Sequence, residues 1–358
     1  MNNKQLAAAY VEKINQLSDK PLRLMEVCGT HTVSIFRAGI RQLLPKHIEL
    51  VSGPGCPVCV TDDSYMDKAI AYSKLNDVII ATFGDMLKVP GSKSSLSEAQ
   101  ADGADIKIVY SPLDSIEIAK QNPSKKVIFL AVGFETTAPT AAATVLSAKS
   151  QNVHNLFMLS AQKLVPPALK MLLSDNEVKV DGFILPGHVA VIIGADAFNF
   201  LPIEYNISGV VTGFEPIEIL RGIYRLMTLI NSNESAVVNE YKNVVQSAGN
   251  VAAQKILYQV YEMVDADWRG IGIIKNSGLK LREEFADFDI ERVLPIQIDT
   301  ETRRTACRCG EVLRGIINPT SCPLFGKACK PTHAVGACMV SVEVVCAAWY
   351  KYGSNRLT

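Results

Sequence analysis

Residues 127–137 read Val-Ile-Phe-Leu-Ala-Val-Gly-Phe-Glu-Thr-Thr. An unbroken apolar run, Val127–Val132, passes directly into a glycine and then into polar side chains. Short apolar runs without alternation are typical of strands that are buried on both faces of a parallel sheet. Because parallel strands need a returning segment of about a dozen residues or more, such a run also implies crossover helices. The stretch therefore predicts an α/β fold with polar residues gathered where its strands end.

Seven similar runs occur between residues 22 and 211, each ending in a glycine, a proline or a polar residue. The segments between them are long enough for crossover helices, and strands that alternate with helices favour a parallel sheet. The predicted strands are Leu22–Val27, Ile48–Ser52, Val78–Thr82, Ile106–Tyr110, Leu156–Leu159, Gly182–Leu185 and Gly209–Val211.

The eight predicted strands fall into two sets of four that resemble each other. The first strand of each set runs into a glycine with threonine close behind, at Gly29 and at Gly133. The last strand of each set precedes a similar helix start, at Asp114–Lys120 and at Glu215–Arg221. We therefore predict two similar parallel-sheet α/β domains, residues 1–124 and 125–232, related by internal duplication.

The pattern changes after residue 232. Apolar residues of Ala236–Tyr261 recur at helical spacing and predict a long helical stretch. Asp265–Lys280 contains glycine and predicts irregular structure. We predict that residues 233–358 form a third, mostly helical domain, and six of the nine cysteines lie in it.

Composition limits the function classes. The chain has 358 residues, 48% apolar and 20% charged, with 36 basic and 36 acidic side chains. This is normal for a folded protein of two or three domains, and the balanced charge predicts neither nucleic acid nor an anionic membrane as partner. The polar start of the chain lacks the features of a signal peptide, and no apolar run is long enough to span a membrane. We expect a cytoplasmic protein, whose clustered cysteines then indicate metal binding or catalysis before structural disulfides.

The three cysteines outside the tail, Cys28, Cys56 and Cys59, lie just after predicted strands, where ligands bind in open α/β sheets. Cys56-Pro57-Val58-Cys59 has a spacing that lets two sulfurs form a disulfide or bind one metal ion. Cys28 follows the first strand, and the nearby His31 is a candidate base, metal ligand or hydrogen-bond partner of its sulfur. The alternative for each cysteine is a small packed residue.

Three more polar side chains follow strand ends and are weaker candidates. Asp85 and Glu135 are also suited to cap helices, and His188 is also suited to a structural role. The glycine spacings of a phosphate-binding loop and of a dinucleotide fingerprint are both missing from these turns.

The tail contains Cys307, Cys309, Cys322, Cys329, Cys338 and Cys346. Four thiolates suit either tetrahedral zinc or an iron–sulfur cluster. The paired Cys-x-x-Cys spacing of zinc ribbons is missing from the tail, and the wide irregular spacing favours an iron–sulfur cluster. Structural disulfides remain the other interpretation.

At these residues the chain resembles the HypD family of hydrogenase maturation factors, over essentially its whole length. The motifs that carry the resemblance are Cys28-Gly29-Thr30-His31-Thr32, Gly53-Pro54-Gly55-Cys56-Pro57-Val58-Cys59, Thr82-Phe83-Gly84-Asp85-Met86, Gly133-Phe134-Glu135-Thr136-Thr137-Ala138-Pro139 and Leu185-Pro186-Gly187-His188-Val189. A tail series with fourteen, six and sixteen residues between cysteines selects Cys307, Cys322, Cys329 and Cys346.

The resemblance implies a scaffold on which the iron of [NiFe]-hydrogenase receives its cyanide and carbon monoxide ligands. Its implied partners are the small chaperone HypC and the cyanide donor HypE. Cys28 would bind the iron under assembly together with a HypC cysteine, and Cys56 and Cys59 would be a thiol–disulfide pair. The four tail cysteines of the series would hold a [4Fe–4S] cluster.

The remaining predicted site residues receive less specific roles. His31, Asp85 and His188 would hydrogen-bond cyanide nitrogens or ligand precursors. Glu343, between Cys338 and Cys346, would support the cluster or a proton path.

Two other functions are consistent with the same residues. A free-standing iron–sulfur thiol–disulfide oxidoreductase would share the cluster and the Cys-x-x-Cys pair, but it has no evident need for Cys28 at a separate strand end. A zinc-stabilised binding protein would lack redox activity. If the scaffold hypothesis holds, Cys56 and Cys59 should approach the tail cysteines, with Cys28 within reach across the same cleft.

Overall fold

A computed structural model describes residues 3–17, 19–298, 306–341 and 343–353, and it is an α/β protein. All eight predicted strands form, and each starts within one residue of its predicted start. The described residues contain three further strands. The strands are β1 Leu22–Glu26, β2 Ile48–Ser52, β3 Val78–Thr82, β4 Ile106–Ile108, β5 Lys126–Gly133, β6 Leu156–Gln162, β7 Gly182–Pro186, β8 Ser208–Thr212, β9 Val237–Asn239, β10 Tyr261–Trp268 and β11 Gly272–Leu281.

Helices connect the strands, as the crossover argument predicts. The α-helices are α1 Asn3–Leu17, α2 Gly29–Arg37, α3 Ile40–Leu43, α4 Pro57–Val60, α5 Asp63–Ser73, α6 Leu96–Ala101, α7 Asp114–Gln121, α8 Ala138–Ser150, α9 Val165–Ser174, α10 Gly187–Ile193, α11 Phe200–Tyr205, α12 Pro216–Asn231, α13 Val251–Val260, α14 Ile290–Val293, α15 Cys309–Leu313 and α16 Val345–Ala348. Short 3₁₀ turns cover Gly84–Lys88, Asp196–Phe198, Glu283–Phe288, Pro319–Ser321 and Ala337–Met339, and a π turn covers Trp349–Gly353.

Nine of these strands form two parallel sheets. The first sheet has the order β2-β1-β7-β8-β9, and the second has the order β4-β3-β5-β6. Every pair within them is parallel. Each sheet therefore contains strands from before and from after residue 124, the predicted domain boundary.

The two strand orders are related by a simple exchange. Replacing β1–β4 by β5–β8, and the reverse, converts β4-β3-β5-β6 into β8-β7-β1-β2, which is the first sheet without β9. The predicted duplication and the predicted boundaries at 124 and 232 stay predictions, but the chain crosses between sheets twice, after β2 and after β6.

Both sheets are buried on both faces, which explains their continuous apolar runs. One face of the first sheet packs on α1 and α12 through residues such as Leu24 and Ile223. Its other face packs on α9 and on the cysteine-rich tail, with Leu185 and Met339 in contact with the same core. The second sheet is covered by α8 and α13 on one face and by α5 and α6 on the other.

Two predictions for the region after residue 233 were wrong. The expected long helix over 236–261 is strand β9, an irregular segment and the ten-residue α13, because β9 extends the first sheet beside β8. The expected irregular segment 265–280 belongs to the antiparallel hairpin β10–β11. The described part of this region is thus a hairpin with short helices, rather than a mostly helical domain.

Across the described residues, no helix combines the length and the apolar character needed to span a membrane.

Candidate functional site

The polar strand ends lie at the switch points of the two sheets. In the first sheet β1 and β7 are neighbours, and the next strands along the chain, β2 and β8, lie on opposite sides of this pair. In the second sheet the same holds for β3 and β5, which are followed by β4 and β6. Crevices at such points are where ligands bind in parallel α/β sheets. Cys28 follows β1, His188 follows β7, Asp85 follows β3 and Thr136 follows β5.

These four strand ends line a single cavity of about 240 Å³, called here the cleft. The turn after β2 adds Cys56, and the tail adds Ser341 and Glu343. The two switch points therefore face each other, and Cys28 and Cys56 line the same space.

Cys28 lies at the start of α2, half-buried at the wall of the cleft. Burial raises the pKa of its thiol to about 11, while the backbone N–H groups of His31 and Thr30 act in the opposite direction. These N–H groups form the positive end of the helix and are placed to stabilise a thiolate. A Cβ at Gly55 would overlap the backbone nitrogen of Cys28, so only glycine lets the two turns approach this closely.

Glu26 is a neighbour of Cys28 that the sequence analysis did not single out. Its carboxylate accepts hydrogen bonds from the Cys28 N–H (3.4 Å), the Thr32 hydroxyl (2.6 Å) and the Ser52 hydroxyl. It is 1% exposed, and burial raises its pKa to about 7. The available signal was a carboxylate within the apolar run Leu22–Val27.

Cys56 and Cys59, the predicted thiol–disulfide pair, called here the redox pair, lie at the two ends of one helical turn. The Cys59 N–H donates to Cys56 Sγ (3.4 Å). Cys59 is 0% exposed and Cys56 is 7% exposed. The Cys59 thiol reaches the carbonyl oxygen of Ala337 (4.0 Å). Its pKa is raised by burial and then by hydrogen bonds with the thiols of Cys338 and Cys56.

The six tail cysteines line one small apolar cavity, called here the tail cavity. Cys338, which is not among the four cysteines that the tail series selects, hydrogen-bonds the thiols of Cys309, Cys346 and Cys59. Cys309 in turn hydrogen-bonds Cys307. Sulfur contacts therefore run from Cys59 through Cys338 to the tail cavity. The expected approach to the tail is observed for Cys59, while Cys56 lines the cleft.

His31 does not line the cleft. Its ring is fully buried, with Nε2 2.9 Å from the carbonyl oxygen of Gly213, so Nε2 carries the hydrogen. Burial lowers the pKa of the ring to about 4. Phe214 stacks on His31 at 4.6 Å between ring centroids and on His188 at 4.0 Å. The ring of Phe214 therefore packs against the first turns of both α2 and α10.

His188, Asp85 and Glu343 are exposed side chains at the cleft. Burial lowers the pKa of His188, and the nearby Glu343 carboxylate raises it. Asp85 accepts a hydrogen bond from the Ser341 hydroxyl (3.1 Å). Glu343, predicted beside the cluster, lines the cleft near His188 instead of the tail cavity.

Glu135 lies outside the cleft although both of its neighbours line it. Its Oε1 accepts from the Val165 N–H (2.9 Å) at the start of α9, in agreement with the alternative role as a helix cap. Burial raises its pKa to about 7.

The sequence model of HypD, described as "Hydrogenase formation hypA family", matches residues 5–353. The chain belongs to the HypD family. It is 43% identical over 355 residues to the hydrogenase maturation factor HypD of Escherichia coli, covering 97% of this chain and 94% of that protein. It is 44% identical over 354 residues, 98% of each chain, to a putative hydrogenase expression/formation protein of Methanocaldococcus jannaschii. The HypD of Azotobacter vinelandii is 39% identical over 360 residues, 99% of this chain and 94% of that protein.

In this member of the HypD family, the chemistry of the tail donors fits an iron–sulfur cluster. Six thiols converge without a charged side chain among the residues that line the cavity, and soft thiolates are the usual ligands of such clusters. A Cβ at Gly336 would lie 2.6 Å from Cys307 Sγ, so glycine keeps the space beside this sulfur open. Within the described residues, no three His, Cys, Asp or Glu side chains are arranged to hold a single metal ion.

Proposed function

We propose that this HypD-family chain is a hydrogenase maturation factor with a scaffold function. On it an iron ion, the cargo, acquires cyanide and carbon monoxide ligands in the cytoplasm, with a HypC-type chaperone and a HypE-type cyanide donor as partners. The observation that supports this best is that Cys28 and Cys56 of the redox pair both line one cleft.

The cleft suits a soft iron cargo that must be reached from outside. Cys28 is half-buried, and its sulfur at the start of α2 is available to a metal ion held jointly with a partner thiolate. His188 and Asp85 offer exposed polar groups at the same cleft, suited to hydrogen-bond ligand nitrogens. We assign them that role together with Glu343, and we assign His31 the role of holding α2 in place.

The redox pair and the tail support an electron supply to the cleft. A [4Fe–4S] cluster on Cys307, Cys322, Cys329 and Cys346 would provide electrons one at a time. Reduction of a Cys56–Cys59 disulfide consumes two electrons and two protons and yields two thiols. Cys338 contacts both Cys59 and Cys346, which places it between the two groups.

A free-standing thiol–disulfide oxidoreductase is the second candidate, because the contact between Cys59 and Cys338 serves that function equally well. The two functions differ in their need for Cys28. A reductase of small disulfides should retain its rate when Cys28 is replaced, whereas the scaffold should lose its cargo.

Anaerobic co-production with the two partners, followed by infrared spectroscopy, tests the proposal. The purified complex should show the bands of iron-bound cyanide and carbon monoxide. Both Cys28→Ala and Cys28→Ser should lose them, because serine keeps the size of the side chain but is a poor ligand for soft iron. The matched control Ser34→Ala, on the same helix, should keep them. Full bands in Cys28→Ala would overturn the scaffold function.

The colour of the isolated protein separates the cofactors. An iron–sulfur protein purified anaerobically is brown, and a zinc protein is colourless. Iron and sulfide analysis should give a cluster that is lost when Cys322 or Cys329 is replaced by alanine. A colourless protein that contains zinc would favour the zinc-stabilised alternative.

A further inference from the structure

Arg269 is a buried cation directly after strand β10. Its side chain is 8% exposed, and its backbone N–H donates to the carbonyl oxygen of Val60 (3.0 Å). The guanidinium donates to the carbonyl oxygens of Thr61 (2.6 Å) and Pro90 (2.9 Å) and pairs with Asp63 (2.8 Å). It is thereby fixed against α4, the helix of the redox pair.

The residue that follows Arg269 packs against the turn that carries Cys309. Gly270 packs against the turn of Gly310, and a Cβ at Gly270 would lie 2.8 Å from Gly310 Cα and 3.6 Å from Cys309 Sγ. The positive charge of Arg269 acts on the thiols of both Cys307 and Cys309, where it favours the negatively charged form. Arg269 therefore places one fixed positive charge close to the helix of the redox pair and to Cys307 and Cys309.

Arg308 provides a contrast within the same region. It stands between Cys307 and Cys309 in sequence, but its side chain is 41% exposed and forms a two-pronged ion pair with Glu311. Solvent and the adjacent carboxylate screen a charge of this kind. The guanidinium of Arg269 is bound mainly by neutral carbonyl oxygens, and its carboxylate partner Asp63 is 37% exposed.

We propose that Arg269 sets the reduction potential of the iron–sulfur group held by the tail cysteines, raising it by stabilising the more negative, reduced state. The inference rests on the proposed cluster. Electrostatic interactions are stronger in a water-poor interior, and the net charge around a cluster is one of the determinants of its potential. Arg269 is a positioning and tuning residue in this proposal and binds no metal.

Electron paramagnetic resonance of the full chain, reconstituted anaerobically and titrated with reductant, measures this potential. Arg269→Gln should shift the midpoint to a more negative value, and Arg269→Lys should shift it less because the charge remains. Asp63→Asn should shift the midpoint in the positive direction, because it removes the carboxylate that offsets the guanidinium. Arg308→Gln, the matched control, should cause a smaller shift than Arg269→Gln.

The outcomes separate this inference from the function on which it rests. A wild-type chain that forms no cluster overturns the proposed cofactor together with this inference. A cluster whose potential is the same in wild type, Arg269→Gln and Asp63→Asn overturns the inference alone. If Arg269→Gln fails to retain iron, the test rests on Asp63→Asn, because the Asp63 side chain is 37% exposed. An unchanged or more negative potential in Asp63→Asn then refutes the role of Arg269.

Discussion

Replacing Glu135 by glutamine should make the stability of this protein less dependent on pH. The carboxyl group is 1% exposed, and its Oε2 accepts no hydrogen bond from any residue in the described ranges. Burial raises its pKa from 4.5 to about 7. The folded state thus holds this proton more tightly than the unfolded state. The contribution of Glu135 to the free energy of unfolding is therefore largest below pH 4.5 and is lost as the pH rises to about 7.

The size of the effect follows from the pKa shift. A shift from 4.5 to about 7, at about 1.4 kcal/mol per pKa unit, corresponds to a loss of about 3 kcal/mol above pH 7. Glutamine keeps the oxygen that accepts from Val165 N–H and carries no charge. The free energy of unfolding of Glu135→Gln, relative to wild type, should therefore rise by about 3 kcal/mol between pH 4 and pH 8.

Urea unfolding under reducing conditions, followed by tryptophan fluorescence, measures this difference at each pH. Trp268 is well placed as the reporter, because it is fully buried and stacks on Phe134 at 6.0 Å between ring centroids. The control Glu204→Gln removes a carboxylate that is 46% exposed and should give a nearly constant difference. A difference for Glu135→Gln that stays within about 0.5 kcal/mol across this range would refute the reasoning.

Two further substitutions test the tail. Gly336→Ala should lower the amount of iron bound on reconstitution, because its Cβ would lie 2.6 Å from Cys307 Sγ. The control Gly84→Ala, whose Cβ would lie 3.8 Å from Ile108, should bind iron as wild type does. Equal iron content in the two variants would contradict this. Trp349→Ala should lower the free energy of unfolding in urea by about 2 kcal/mol, since Trp349 packs edge-on against Phe36 at 5.2 Å and Arg41 lies 5.0 Å from its ring. Tyr110→Ala, at a site 94% exposed, should change it by less than about 0.5 kcal/mol, and an equal effect in both variants would argue against the tail contact.

The strands were predictable because their burial is recorded in a local pattern. Ile48–Ser52 and Val78–Thr82 have the predicted bounds, and both are apolar runs that end at a turn. The pairing of the strands left no comparable local signal. Nothing in the composition of β1 or β7 indicates that they are neighbours.

The cysteines illustrate the same limit. Spacing indicated that the tail holds a thiol site, and the structure brings all six tail sulfurs to one cavity. The contact between Cys338 and Cys59 joins residues at opposite ends of the chain, and only the fold determines it. The sequence predicts a helix at Val237 and its neighbours because short apolar segments fit either period. In the structure this segment pairs with β8 and is a strand.

The crossing of the chain between the sheets also determines how the cleft can be studied. The first crossing, after β2, carries Cys56 and Cys59, and the second, after β6, leads through α9 to β7 and His188. Residues 1–124 alone would contain β1 and β2 without β7, and β3 and β4 without β5, so neither switch point would exist. Because Cys28 requires β7 beside it and Asp85 requires β5, a fragment divided at residue 124 would have lost the cleft before any side chain was changed. The function of Cys28 can therefore be measured only in the full chain.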